Sequence, residues 1–374
     1  MRARRGARVA APLATTVAAL LVAFAILEGV VVRWVLPAPD VPEVELRDGV
    51  LRYRPGQTGV WRVGDDVAAP FRINAQGWNS GHARYRAART PGRRRIAVVG
   101  DSYVAALQVA PEASFAEVLE RELGADRTEV YRFGMDGAPL SQHLHVLERE
   151  VLAYAPDDVV ILLVHNDFVE SFRRHPGRYT RSFMVLDLAG DGIREVPPAP
   201  YRETWVDPLR RLALARYFLY RRKLTYAPPV LALKAALFGA PEAADAGYVA
   251  NVAPNEIVRH RAEIAVAVDH LFGRLAALAR RRDLRLLLVM DAVRATITTP
   301  GADDQGAAEL NVLAARLARR HGLALFDLHE TFRGDWEVRH APFGFATDGH
   351  WNAAAHRLVG RAVAARLAGA APSR

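Results

Sequence analysis

Four short pieces of this chain hold residue types that together can attack an ester. They are Gly100-Asp101-Ser102, Gly134-Met135-Asp136-Gly137, His165-Asn166-Asp167 and Asp348-Gly349-His350. A serine hydroxyl becomes a nucleophile when a neighbouring base takes its proton. An imidazole oriented by a carboxylate is such a base. The oxyanion that follows needs donors already in place, such as a side-chain amide or a backbone N–H. Ser102, His350 with Asp348, Asn166 and Gly137 supply these parts in turn.

Each residue also has a plainer reading. Ser102 follows the apolar run 96–99 and precedes a helical turn, so it stands at a helix N-terminus with N–H groups aimed outward. A serine there is also a good N-cap. Asn166 follows the apolar run DVVILLV, where its amide can donate without titrating, or can cap a turn. Gly137 lets a substrate approach a backbone N–H, and Gly134 competes with it for that role. Asp348 lies two residues before His350, and Asp327, at the end of an apolar run, is the rival orienting carboxylate. His165 is either a substrate contact or a structural histidine. Asp348 and His350 could also form a metal pair, but no other Asp/His cluster has metal-ligand spacing, and the chain has no cysteine, which excludes a thiol nucleophile, a disulfide and a thiolate-bound zinc.

Such scattered residues need a scaffold that gathers them. From residue 95 onward, apolar runs alternate with helical patterns. Strands are expected at 96–99, 128–133, 158–164, 284–290 and 323–327. Helices are expected at 115–123 behind a Ser114-x-x-Glu117 capping box, at 141–154 capped by Ser141, and at 257–282, 307–320 and 352–367. Five strands interleaved with helices imply an α/β fold with a parallel sheet covered on both faces. Loop residues then collect at the carboxyl edge of the strands.

The remainder is organised around this unit. Residues 9–32 are almost wholly apolar and long enough for a bilayer, with Arg2, Arg4, Arg5 and Arg8 before them and Arg33 after. This predicts a cytoplasmic tail (1–8), an uncleaved transmembrane anchor (9–35) in the cytoplasmic membrane and an extracytoplasmic remainder; a cleaved signal peptide is the alternative. Glu28 near the far end is expected to snorkel. Residues 36–94 read as a β-rich preamble, with strands at 50–53, 59–63 and 70–74. The main domain is expected over 95–370, with an insertion at 167–256. Within it, 209–224 reads as an amphipathic helix that either packs on its own domain or lies on a membrane surface. The net charge of +9 comes almost entirely from scattered arginines, with Lys223 and Lys234 the only lysines. No nucleic-acid motif accompanies it, so nucleic acid is not an expected partner.

Taken together the blocks resemble those of the SGNH hydrolases, the GDSL-type esterases and acyltransferases. IAVVGDSYV matches the first block, FGMDGAP the second, VHNDF the third with Val164 where glycine is usual, and TDGHWN the last. The resemblance covers about 95–368. It implies a three-layer, flavodoxin-like sandwich and no cofactor or metal. It places the nucleophile on Ser102, its base and orienting acid on His350 and Asp348, and the oxyanion donors on Ser102, Gly137 and Asn166. The tight Asp-x-His-Trp spacing is similar to that of alginate O-acetyltransferase-type proteins. The implied substrate is an acyl ester, acetyl first, on cell-envelope polysaccharide. An O-acetyltransferase supplied by a membrane acyl-donor protein is the second reading, and a non-catalytic carbohydrate-binding module the third.

Overall fold

The computed structural model describes residues 2–174, 179–190, 192–201, 203, 207–224, 229 and 255–369. Part of the 167–256 insertion lies outside these residues. Four short strands come first: β1 (Val44–Arg47), β2 (Val50–Tyr53), β3 (Thr58–Val63) and β4 (Val67–Arg72). They pair antiparallel as β1–β2 and β3–β4. The central sheet follows with β5 (Arg94–Gly100), β6 (Thr128–Gly134) and β7 (Asp158–Leu163). The hairpin β8 (Val185–Asp187) and β9 (Arg194–Val196) belongs to the insertion, and β10 (Arg285–Met290) and β11 (Ala324–Asp327) complete the sheet. Its order is β11-β10-β7-β5-β6, with every pairing parallel.

The side-chain period of two explains why these runs are apolar throughout. Ala97, Val99, Val159, Ile161 and Leu163 face one core layer, shared with the helices Leu140–Arg149, Arg261–Arg282 and Ala307–His321. Ile96, Val98, Val160 and Leu162 face the other, shared with the helices Phe115–Leu123 and Ala353–Ala368. Both faces are therefore buried, giving the three-layer α/β sandwich with its five-stranded parallel sheet.

The segment 36–94 packs into the first of these layers. Val50, Leu51, Tyr53, Phe71, Ile73 and Trp78 belong to the same core as Phe133. Trp78 meets Phe133 edge-on at 5.4 Å, and the Tyr85 hydroxyl donates to the Arg132 carbonyl at 2.7 Å. The preamble thus covers the edge strand β6.

Several local expectations change. Strand β1 is additional. Ser114 does precede its helix, but its hydroxyl bonds the Glu117 carboxylate, which the buried Arg132 and the Gly81 N–H also engage. Pro139, not Ser141, occupies the cap of the next helix, and Ser141 Oγ instead donates to the Met184 carbonyl of the insertion at 2.7 Å. The long helix is interrupted at His260, separating Glu256–Arg259 from Arg261–Arg282. The helix His329–Arg339 went unpredicted because Phe332 is its only buried residue and its apolar stripe is correspondingly thin. Residues 209–224 are no single helix. They form the short helices Asp207–Arg210 and Ala213–Arg216 and a wider turn, Tyr217–Arg221.

The N-terminal helix Arg2–Ile26 continues as a π-type segment, Leu27–Val35. Residues Pro12–Val35 are long and apolar enough to cross a membrane, with a mean hydropathy of 2.3. Glu28 is held by the protein. Its carboxylate accepts the Ala213 and Leu214 N–H groups, at 2.6 and 2.9 Å.

One glycine sets the spacing beneath the sheet's carboxyl edge. A Cβ on Gly134 would stand 2.1 Å from the Ala105 nitrogen, so β6 can lie against that turn only without a side chain. A Cβ on Gly137 would meet only the Phe183 ring, in ordinary contact at 4.0 Å, and the residue has a φ of +69°. Gly134→Ala should therefore cost about 3 kcal/mol or more in urea unfolding, at the upper end of overpacking changes. Gly137→Ala should cost only about 1–2 kcal/mol of backbone strain. Equal midpoints for the two variants would contradict this packing.

Candidate active site

The register sets three strand ends side by side. Gly100 of β5 pairs with Gly134 of β6, and Val99 of β5 pairs with Ile161 of β7. The chain leaving β5 enters Asp101 and Ser102 at this edge. Asp101 takes the capping duty of the helix Ser102–Ala105: its carboxylate accepts the Tyr103 N–H at 2.9 Å. The Ser102 hydroxyl is thereby left to other partners. The turn is clamped from below. The Arg132 guanidinium donates to the Val104 and Ala105 carbonyls at 3.2 and 3.3 Å, and the Asn79 amide donates to Ala105 at 2.8 Å.

The imidazole comes from the loop before the last helix, which Asn352 caps by accepting the Ala354 and Ala355 N–H groups. His350 Nδ1 hydrogen-bonds Asp348, and the His350 backbone N–H donates to the same carboxylate at 2.9 Å. With Nδ1–H committed there, Nε2 accepts from Ser102 Oγ at 2.8 Å. The structure thus brings Ser102, His350 and Asp348 into one chain of hydrogen bonds. Asp327 is engaged elsewhere, accepting two bonds from the Asn311 amide and one from the His329 N–H. His165 is fully buried, and its Nε2 bonds Asn311 at 2.8 Å. Burial holds it at about 4, a structural histidine in a neutral form.

Gly137 is exposed in the loop after β6, while Gly134 is packed under the turn at 105. Asn166 is the second residue of the helix His165–Glu170 that leaves β7, and its buried Oδ1 has no partner. Glu170, one helical turn on, carries a carboxyl pushed up to about 7 by burial, against a hydrogen bond from Asn166 and with the Asp101 charge adding. A pocket of about 310 Å³ opens beside Gly137, lined by Asp136, Glu170, Arg173, Tyr179 and Phe183 among others.

The electrostatics separate the carboxyls. Burial raises Asp348, but the hydrogen bond and charge of His350, helped by Lys223, outweigh it and hold the group at about 2. Burial lowers His350, but Asp348 first and then Asp101 and Asp136 outweigh it, so the imidazole lies above its ordinary value. Asp101 is pushed up to about 7 and Asp136 to about 6, both chiefly by burial.

Other residues that hold the site escaped sequence reading. Tyr103, where leucine gives the GDSL name, lays its ring against His350 with centroids 4.9 Å apart. Its hydroxyl accepts from Arg294 at 2.6 Å and donates to the Gly349 carbonyl at 3.3 Å. Arg294 also donates to the Gly349 carbonyl at 2.9 Å and lies 3.6 Å from the buried Asp291. Asp291 in turn accepts from the Trp351 indole at 3.2 Å. Lys223, from the insertion, donates to the Thr347 carbonyl at 2.9 Å and sits 3.6 Å from Asp348. The signal for Arg294 was its place just past the carboxyl end of β10. Lys223 had none, because a lysine on a polar face is ordinary.

The family model of the GDSL-like lipases and acylhydrolases matches residues 98–358. The chain belongs to that family. It is accordingly an ester-bond hydrolase of GDSL/SGNH type. Among similar solved structures are a lipase/acylhydrolase from Enterococcus faecalis, at 15% identity, TM-score 0.39 and coverage of 75% of this chain and 99% of the other. Another is LAE5, an alpha/beta hydrolase enzyme from the metagenome of Lake Arreo, Spain, at 14% identity and TM-score 0.40, covering 73% and 94%. A third is the acetyl xylan esterase AlAXEase, at 13% identity and TM-score 0.40, covering 74% and 98%. No curated protein matches the chain.

With His350 in the role of base, which requires its neutral form, its raised pKa gives this hydrolase a definite acid limb. Its kcat/KM for p-nitrophenyl acetate should rise with pH through a midpoint above 6.5. Asp348→Asn should lower kcat by up to roughly 10⁴ and also move the midpoint down, since removing the anion favours neutral imidazole. An unchanged midpoint in this variant would contradict the pairing.

Proposed function

We propose that this chain is a membrane-anchored serine esterase that removes short acyl groups, acetyl first, from carbohydrate on the outer side of the cytoplasmic membrane. One observation carries the reading: Ser102 Oγ lies 2.8 Å from an imidazole nitrogen whose ring partner is bonded to Asp348. Ser102 attacks the ester carbonyl as His350 Nε2 takes its proton. Asp348 holds the ring in the required tautomer and stabilises the imidazolium. The N–H groups of Ser102 and Gly137 and the Asn166 amide receive the oxyanion. His350 then gives its proton to the leaving alcohol, leaving an acyl-serine, and water activated by the same imidazole releases the acid.

The pocket beside Gly137 supports a small substrate group, since about 310 Å³ is at the low end of ligand sites. Its wall is largely apolar, with Pro139, Tyr179, Phe183 and Val185, and carries Glu170 and Arg173 at its rim, which suits a short acyl group on a polar alcohol. The excess of arginine before residues 9–35 supports a cytoplasmic N-terminus and an outward-facing domain. A sugar hydroxyl in place of water would turn the same acyl-serine toward transfer. A pure binding module would have no use for a proton-accepting imidazole.

Ser102→Ala should abolish turnover of an acetyl ester, and Asn166→Ala should lower kcat by roughly 10² to 10³ through loss of one oxyanion donor. Both variants should keep the parent's circular dichroism. With an acetylated oligosaccharide the product should be free acetate. Full activity in the serine variant would end the reading, and acetylated acceptor in place of acetate would move it to transfer.

A further inference from the structure

We propose that residues 207–224 form a bilayer-contacting element that seats the active site at the membrane surface. The inference rests on the anchor reading above and concerns what the anchor touches. Residues 9–28 are twenty in all, and twenty helical residues span about 30 Å, the thickness of the hydrocarbon layer. Glu28 therefore stands at the outer boundary of that layer. A carboxylate there must find donors or water. It finds the Ala213 and Leu214 N–H groups. Four residues on, Val32 is buried against Ala213 and Tyr217. The start of the helix Ala213–Arg216 and the turn after it thus lie at the depth of Glu28 and Val32, in the headgroup zone.

The element exposes large apolar side chains. Phe218, next to Tyr217, is 42% exposed, Leu209 and Leu224 flank it exposed, and Trp34 on the anchor is 80% exposed. Exposed aromatic and aliphatic side chains continuous with a membrane span match the interfacial belt. The nearby arginines form a polar rim: Arg211 pairs with Glu203 at 2.6 Å and Arg222 with Asp65 at 3.2 Å. The occupant that fits this patch is a phospholipid surface, because the patch begins where the membrane span ends.

The same element reaches the catalytic loop. Arg221 donates to the Pro37 and Gly64 carbonyls, at 2.8 and 3.0 Å, tying the turn to the preamble. Two residues later Lys223 contacts Thr347 and Asp348. The six Cα–Cα steps from Tyr217 to Lys223 span at most about 20 Å, so the backbone of the residue that contacts the Asp348 loop lies within roughly that distance of the headgroups. An ester presented on or just above the membrane would reach the site without extraction.

The absence of cysteine makes the test direct. Three variants of the full chain, Leu20→Cys, Phe218→Cys and Val338→Cys, are labelled with the environment-sensitive dye NBD. They are reconstituted in nanodiscs of phosphatidylcholine and phosphatidylglycerol. Esterase turnover checks that each is folded. The label at 218 should emit to the blue of the label at 338, and lipids carrying a doxyl quencher near the headgroup should quench it roughly threefold or more. The label at 20 should respond most to a quencher deep in the acyl chains. A label at 218 as water-exposed as that at 338, with the label at 20 quenched, would overturn the docking element and leave the anchor standing. An unquenched label at 20 would overturn both.

Discussion

The hydrogen bond between Ser102 and His350 joins residues 248 apart in sequence, and most of the surrounding structure holds its two ends still. A bond of this kind is useful only while donor and acceptor stay within a few tenths of an ångström of line. At the serine end, the flush register of β6, β5 and β7 fixes where the chain emerges, and Arg132 and Asn79 pin the carbonyls of the turn. At the histidine end, the Tyr103 ring, Arg294 and the Asp291–Trp351 pair fix the Asp348-Gly349-His350 loop. Tyr103 belongs to both sets, since it follows Ser102 in sequence and bonds the Gly349 carbonyl. The residue beside the proposed nucleophile is thus also a strut for its proposed base.

The charges around the imidazole follow the same economy. Of the three carboxyls whose charges act on the imidazole, Asp348, Asp101 and Asp136, only Asp348 is held low. It alone has two bonds to His350 and a lysine nearby. Asp101 and Asp136 lack such partners, so burial raises them toward neutrality. In the proposed mechanism the imidazolium therefore has one committed counter-charge and two carboxyls that can respond to it. A site built this way favours the charged intermediate without fixing the imidazole permanently in that form.

Much of this was legible in the residues. The five buried strands read clearly because a parallel sheet covered on both faces must be apolar along its whole length. Ser102, Asn166 and His350 stood out because each polar residue lies where such a run stops or just before the last helix. What stayed hidden depended on tertiary contacts. Glu28 could not be paired from sequence, because its donors are backbone groups 185 and 186 positions away. Ser141 satisfied every local rule for a cap, yet the Met184 carbonyl offered its hydroxyl a buried partner. The choice between Asp348 and Asp327 turned on Asn311, which engages the latter. The helix His329–Arg339 was missed because a helix at the edge of a core needs only one buried side chain.

The account stands on the reactivity of one hydroxyl. A fluorophosphonate probe reacts with a serine whose proton is taken by a poised base, and peptide mass spectrometry locates the adduct. The account predicts a single adduct on the peptide containing Ser102, formed in the full chain and lost in His350→Ala while the variant remains folded. Labelling at another serine, or equal labelling of Ser102 without the imidazole, would contradict it.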